Sequence, residues 1–339
     1  MEVPASPPLA LLTTFHIGGP ARAFFEVRSE EEIQTAIAFA RDSGLPLYVL
    51  GAGSNVLVPD AGVAGVVVHM QIAGIAVEES ADSIMIIGGA GTLWEEIVDI
   101  ACSRGVSGIE NLAGIPGTLG GAAVQNIGAY GAELSSVFAY ADCIDTTTGA
   151  VRRVSESEAG FAYRDSFFKA HREFIITRVA LRLKKDAQSN IAYADIARAR
   201  AEGAVLDTPR AIAEVVRRIR ARKFPQSSEE GMAGSFFKNP VISRELSLAV
   251  QTRFPELPAF PQEDGRVKIS LAWLLDHALS LKGYAKGSVR LYEQQPIVVV
   301  ARAGASAAEV DAFAEEIRTR VFNATGITIE REVETFGAD

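Results

Sequence analysis

Six glycines fall within residues 114–131, GIPGTLGGAAVQNIGAYG, and this span constrains the fold more than any other part of the chain. A run so rich in glycine cannot hold one continuous helix or an uninterrupted strand, because each glycine adds backbone freedom that a regular element must freeze. Its apolar residues argue against disorder, and long ordered loops in compact domains are usually functional. A second cluster, Gly51-Ala52-Gly53-Ser54-Asn55, follows the strand-like PLYVL. Both clusters suit backbone N–H groups that approach a phosphate without hindrance from Cβ, and both equally suit tight turns with no ligand. Neither carries a dinucleotide fingerprint of the Rossmann type. In the first cluster the third glycine position is Val56 and no helix signal follows; Gly89-Ala90-Gly91 does open a helix, but Trp94 fills its third position.

Composition narrows the ligand. A length of 339 residues with 48% hydrophobic and 22% charged content predicts two or three folded units. A net charge of -9 disfavours nucleic acid and acidic membrane surfaces, so an anionic ligand would need a local cationic pocket. Cys102 and Cys143 show no metal-type spacing, which predicts neither a disulfide framework nor a metal site. The opening MEVPASPPLA lacks a basic segment followed by an apolar one, and no run reaches the roughly 18 apolar residues that span a bilayer. The expected location is the cytoplasm, without membrane insertion.

Three capping boxes predict amphipathic helices: Ser29 with Glu32 up to Gly44, Thr92 with Glu95 up to Gly105, and Ser306 with Glu309 up to Gly326. Strand signals lie at 47–50, 66–69, 83–87, 175–183 and 296–300, giving an α/β or α+β class. KFPQSSEEG at 223–231 marks a change of composition and the expected domain boundary. The last strand, near 326–336, then has to leave the second unit and return to the first.

Taken together, LGAGSNVL at 50–57, ENLAGIPGTLGGAAVQNIGAYG at 110–131, YRDS at 163–166 and AGSFFKNP at 233–240 resemble the UDP-N-acetylenolpyruvoylglucosamine reductases, in order and spacing over nearly the whole chain. The segment with Tyr193 and the stretch 241–290 match the insert-bearing form. The resemblance implies an α+β FAD-binding fold of the vanillyl-alcohol oxidase type. Its parts would be FAD-binding subdomains at 1–70 and 71–223, a substrate domain at 224–325 and a C-terminal strand at 326–339. It implies NADPH-dependent reduction of UDP-N-acetylglucosamine enolpyruvate to UDP-N-acetylmuramate through a non-covalent FAD. A monomer is the expected state, which the residues themselves do not specify.

Site roles follow from the same resemblance. Arg164 matches the cation beside the developing enolate, Ser235 the proton donor and Glu332 the completing carboxyl group. FAD falls to Gly51, Gly53, Ser54, Asn55, Val56, Ile115, Pro116, Gly117, Gly121, Ala122 and Gly128, and the nucleotide sugar to Tyr163, Tyr193, Lys223, Asn239, Gln295 and Phe260. Tyr193 matches a residue that gates NADPH and substrate in turn. An ordinary serine is a weak acid, so Ser235 needs a cation such as Lys238 or Lys223 nearby. Read without the resemblance, Ser235 is a turn residue, Arg164 a partner for Asp165, Glu332 part of an acidic edge, and the arginines at 217–222 a helix end complementing its dipole. Phe260 replaces a tyrosine of the related enzymes, and Gly121, Ala122 and Ala123 replace hydroxyl-rich positions. Arg331 stands where many relatives have proline. Two alternatives keep the fold: an FAD-dependent oxidase, and a non-catalytic protein that binds a UDP-sugar.

Overall fold

The structure, a computed structural model, describes residues 5–225 and 229–338. It divides into two compact units. The first is built mainly from Arg22–Ala52 and Ala64–Ala221; the second gathers Ser6–Ala21, Gly53–Val63 and the described residues from Arg222 onward. Secondary structure is mixed throughout, with antiparallel sheets predominating, which is the expected α+β class.

The first unit holds a three-stranded sheet in the order Ala21–Val27, Val63–Met70, Leu47–Leu50, the last two parallel and paired from Leu47 with Val66 to Leu50 with His69. Beside it in sequence comes a five-stranded antiparallel sheet ordered Val151–Ser155, Phe138–Asp145, Phe174–Lys184, Ser83–Gly89, Ile75–Glu79. Because Ser83–Gly89 has antiparallel neighbours on both sides, the glycines at its end belong to no parallel βαβ unit. Helix Glu30–Ser43 starts and stops where the sequence predicts: Ser29 accepts from the Glu32 N–H, and Gly44 takes the left-handed conformation. The fully buried Trp94 anchors the core, and its indole donates to the Leu112 carbonyl at 2.9 Å.

Local competition moves the second helix. Thr92 does not cap it; its hydroxyl donates to the Gly74 carbonyl, and its own carbonyl accepts from Leu119 N–H. Leu93 pairs with Thr118, so the helix begins only at Trp94. The glycine-rich span, expected to be irregular, contains the helix Leu119–Gln125, capped by Thr118 accepting from Gly121 N–H and ended by Asn126 in the left-handed region.

In the second unit a four-stranded antiparallel sheet runs Glu230–Gly231, Val299–Arg302, Val289–Leu291, Ala285–Lys286, and a three-stranded one Val241–Ile242, Val267–Ile269, Ala259–Pro261. The expected 296–300 strand thus starts later, at Val299. Helix Ala307–Thr325 has the full Ser306–Glu309 capping box and ends at left-handed Gly326. Phe236, Phe237 and Phe313, all at most 1% exposed, form the core with leucines and isoleucines. Burying each such ring stabilises the unit by roughly 1.5–3 kcal/mol.

Two early segments are built into this unit. Gly231 packs its backbone against Phe15, Met232 N–H donates to the Thr14 carbonyl, and the Asp60 carboxylate accepts from Ala307 and Ala308 N–H at the start of the last helix. The chain end makes little regular strand. Among its described residues only Glu334–Thr335 pairs in a ladder, parallel with Val56–Leu57, and Arg331 bridges Phe237.

Candidate functional site

In the first unit the strand Leu47–Leu50 delivers Gly51 against the glycine loop. A Cβ on Gly51 would stand 2.8 Å from Thr118 Oγ1, and one on Gly120 would stand 2.9 Å from Ala90 Cβ. Only glycine permits these approaches. Gly121, by contrast, is exposed, and a Cβ there would meet only Thr118 Oγ1 at 3.5 Å, so backbone is presented on an open side. Gly117 has a positive φ of 137° and gives its carbonyl to Trp94 N–H at 3.0 Å, which leaves Ile115 and Pro116 on a loop tied down at its far end. Ala122 is buried beneath it. This cradle of close-packed backbone with an open edge fits a phosphate-bearing cofactor such as FAD.

The YRDS motif is fastened to the same loop. The Asn126 side-chain amide donates to the Ala162 carbonyl and its oxygen accepts from Ser135 N–H, while Ser166 donates to the Val124 carbonyl at 2.7 Å. Arg164 then reaches back to the Gly128 carbonyl and lies 5.2 Å above the Tyr163 ring. Its φ of 55° is left-handed, a strain that a non-glycine residue keeps only where its surroundings enforce it. Lys169 supports it by donating to the Arg164 carbonyl at 3.0 Å. Asn126 was missed in the sequence reading; its signal is an asparagine between the two motifs, a residue type able to hold both a left-handed backbone and three neighbours.

Tyr193 sits at the start of helix Ala194–Ala201, 44% exposed, with its ring edge-on to Tyr130 at 5.3 Å. Burial pushes the Tyr130 phenol up to about 12, against the opposing influence of Arg220. Asn111, 1% exposed, holds this region by donating to the carbonyls of Tyr130 and Asn190. The basic helix Pro209–Lys223 is mostly committed elsewhere: Arg217 pairs with Glu95 and Asp99, and Arg220 donates to the Gly114 carbonyl at 2.9 Å. A separate open depression of about 700 Å³ is lined by Arg28, Arg153 and Arg178 and balanced by Glu30, Glu31 and Asp142; no predicted site residue lines it.

The second unit brings Ser235, Asn239, Glu332 and part of the first glycine cluster into one framework. Gly234, with φ of 68°, turns the chain into Ser235, and the next residue is fixed on both sides. Phe236 N–H donates to the Ile297 carbonyl, and its carbonyl accepts from Glu332 N–H, both at 2.8 Å. Lys238 N–H donates to the Glu330 carbonyl, and its ammonium lies 3.2 Å from the Glu330 carboxylate. Asn55 stitches the same place, its amide donating to the Glu332 carbonyl at 3.0 Å and its carbonyl accepting from Glu334 N–H. Glu330 is exposed whereas Glu332 and Glu334 are half-buried, so the expected acidic edge is not uniform. Gly53, with φ of 61°, gives its carbonyl to Thr14 N–H, and Ser54 and Val56 continue the segment.

Asn239 Oδ1 accepts from Leu271 N–H at 3.0 Å, a loop anchor that leaves its amide nitrogen for other partners. Gln295 closes the turn before Val298 through backbone bonds. Phe260 projects from the three-stranded sheet, 52% exposed, and Lys223 lies at the end of the basic helix.

Comparison with known proteins finds relatives over nearly the whole chain. Residues 21–155 match the family described as FAD binding domain, and residues 226–336 match the family described as UDP-N-acetylenolpyruvoylglucosamine reductase, C-terminal domain. The UDP-N-acetylenolpyruvoylglucosamine reductase of Paraburkholderia xenovorans is 41% identical over 332 residues, covering 96% of this chain and 95% of its own. The enzyme of that name from Pseudomonas aeruginosa is 38% identical, covering 94% of each. A crystal structure of UDP-N-acetylenolpyruvylglucosamine reductase from Thermus caldophilus superposes with a TM-score of 0.66 at 28% identity, covering 99% of both chains. Among the described residues no helix is long and apolar enough to cross a membrane.

Proposed function

The chain belongs to the UDP-N-acetylenolpyruvoylglucosamine reductases, and from that premise we propose that it reduces UDP-N-acetylglucosamine enolpyruvate to UDP-N-acetylmuramate with NADPH and FAD, supplying peptidoglycan synthesis. Bound FAD supplies the chemistry of taking hydride from NADPH and passing it to the enolpyruvyl methylene carbon. The protein's own task is to hold the substrate, stabilise negative charge beside the carboxylate and deliver a proton to the adjacent carbon.

Ser235 is the proton donor in this reading. The observation that supports it best is the pairing of its segment with the chain end, where Glu332 N–H donates to the carbonyl of Phe236, one residue after Ser235. Glu332 completes the set as the carboxyl group. Arg164, held in left-handed backbone by the YRDS turn, supplies the positive charge for the enolate. Gly51, Gly53, Ser54, Asn55, Val56, Ile115, Pro116, Gly117, Gly121, Ala122 and Gly128 bind FAD. Tyr163, Tyr193, Lys223, Asn239, Gln295 and Phe260 bind the nucleotide sugar, with Phe260 giving apolar contact without a phenolic hydrogen bond. Residues 1–70 and 71–223 act as the FAD-binding parts, 224–325 as the substrate part and 326–339 as the carrier of Glu332. The protein works as a cytoplasmic monomer.

Anaerobic mixing tests the reading. Ser235→Ala should still let NADPH bleach the flavin at the wild-type rate, while reoxidation by the enolpyruvyl sugar falls roughly 10²–10⁴-fold, the usual worth of a positioned acid. Undiminished turnover in that variant removes Ser235 from the role.

A further inference from the structure

Arg331 occupies an unusual position in the second unit. Its guanidinium carbon stands 4.8 Å above the centre of the Phe236 ring. Its Nη1 lies 2.7 Å from Asp311 Oδ1 on the last helix, a charge contact without hydrogen-bond alignment. Among the described residues the other two nitrogens, Nε and Nη2, are buried without a hydrogen-bond partner. The guanidinium is therefore held by two contacts, the Phe236 ring on one side and the Asp311 carboxylate on Nη1. Burying unsatisfied donors of a cation is unfavourable, so stability alone gives a poor reason for this arrangement.

The ring it covers is the first residue after Ser235. Phe236 is 1% exposed and packs edge-on to Phe15 and Phe237, with its backbone held by Ile297 and Glu332. Arg331 also bridges Phe237 through the backbone and directly precedes Glu332. One side chain thus presses on the residue next to Ser235, while its own backbone carries the neighbouring Glu332.

We propose that Arg331 is a positioning residue for the proton-donating step: its guanidinium clamps Phe236 and so fixes Ser235 relative to Glu332. The proposal rests on the function given above. Arg331 touches neither Ser235 nor the reacting atoms in this account; it acts through Phe236. Holding a catalytic group within a fraction of an ångström governs rate, so a loosened clamp slows one step selectively.

The experiment compares wild type, Arg331→Met and Arg331→Lys as FAD-loaded proteins in the two separate half-reactions. In Arg331→Met, reoxidation by the enolpyruvyl sugar should fall about tenfold while flavin reduction by NADPH stays within about twofold. Lysine keeps the charge over the ring and the reach to Asp311, and should recover most of the loss. Equal losses in both half-reactions, or none in either, overturn the proposal.

Hydrogen exchange supplies a readout independent of activity. The amides of Phe236 and Glu332 should exchange about tenfold faster in Arg331→Met, with those of the 307–325 helix unchanged; unaltered exchange at Phe236 and Glu332 overturns the clamp. Should Arg331→Met fail to fold, Asp311→Asn, which removes the charge paired with the guanidinium, carries the same pair of measurements with about a threefold effect expected. If wild type itself is not reoxidised by the sugar, the functional reading falls, and hydrogen exchange still decides whether Arg331 holds the segment.

Discussion

Replacing Gly53 by alanine should destabilise the second unit far more than the same change at Gly304. Both glycines are left-handed, with φ of 61° and 84°, a conformation that charges an L-residue roughly 1–2 kcal/mol. At Gly304 a Cβ meets nothing within 4 Å, so that penalty is the whole effect. At Gly53 the Cβ would fall 2.7 Å from Thr13 Cα, on backbone that cannot rotate away. Overpacking of this kind adds about 1–3 kcal/mol. Gly53→Ala should therefore lose about 2–5 kcal/mol against about 1–2 for Gly304→Ala, a further shift of up to a hundredfold in the folding equilibrium at about tenfold per 1.4 kcal/mol. The chain has two tryptophans, Trp94 in the first unit and Trp273 in the second. A Trp94→Phe background thus lets Trp273 fluorescence follow the second unit alone during urea unfolding. Equal midpoints for the two alanine variants would refute the reasoning, because they would show that the Thr13 backbone gives way freely.

Further expectations concern titration and reactivity. Burial holds the His69 imidazole below its ordinary 6.5, with Glu26 opposing; the unfolded chain then binds more protons than the folded one as pH falls through 6.5, so stability is full above that pH and declines below it. Urea midpoints read from Trp94 at pH 5 and pH 8 should converge in His69→Gln, and an unchanged difference would exclude His69 as the source. Burial pushes both Cys102 and Cys143 up to about 12, so a thiol reagent at pH 8 should label neither in the native protein and both in urea; prompt native labelling would contradict this.

What the sequence revealed was local. Ser29 and Ser306 cap their helices because the capping partners lie three residues away and nothing competes. Thr92 failed because Leu93 pairs with Thr118, a partner invisible to local pattern. Helix Leu119–Gln125 hid among glycines because its cap, Thr118, and its alanines outweigh two glycines over a single short run. At the candidate site, the motifs marked Ser235, Arg164 and the glycine loop. The supports escaped notice: Asn55 bonding to the Glu332 carbonyl spans 277 residues, and no periodicity reports it. The incorporation of 6–21 and 53–63 into the later unit is hidden for the same reason.

The parallel pairing of Val56–Leu57 with Glu334–Thr335 imposes an order on biosynthesis. At ribosomal speeds of about 5–20 residues per second, the early segment must wait roughly 14–56 s for its mate to be translated. Through that interval Val56 and Leu57 lack their ladder partner, and unpaired backbone of this kind can recruit other chains. A nascent chain stalled or truncated before Glu334 would leave those residues without their partner, so such a truncation should yield aggregates more readily than a chain that includes Glu334 and Thr335.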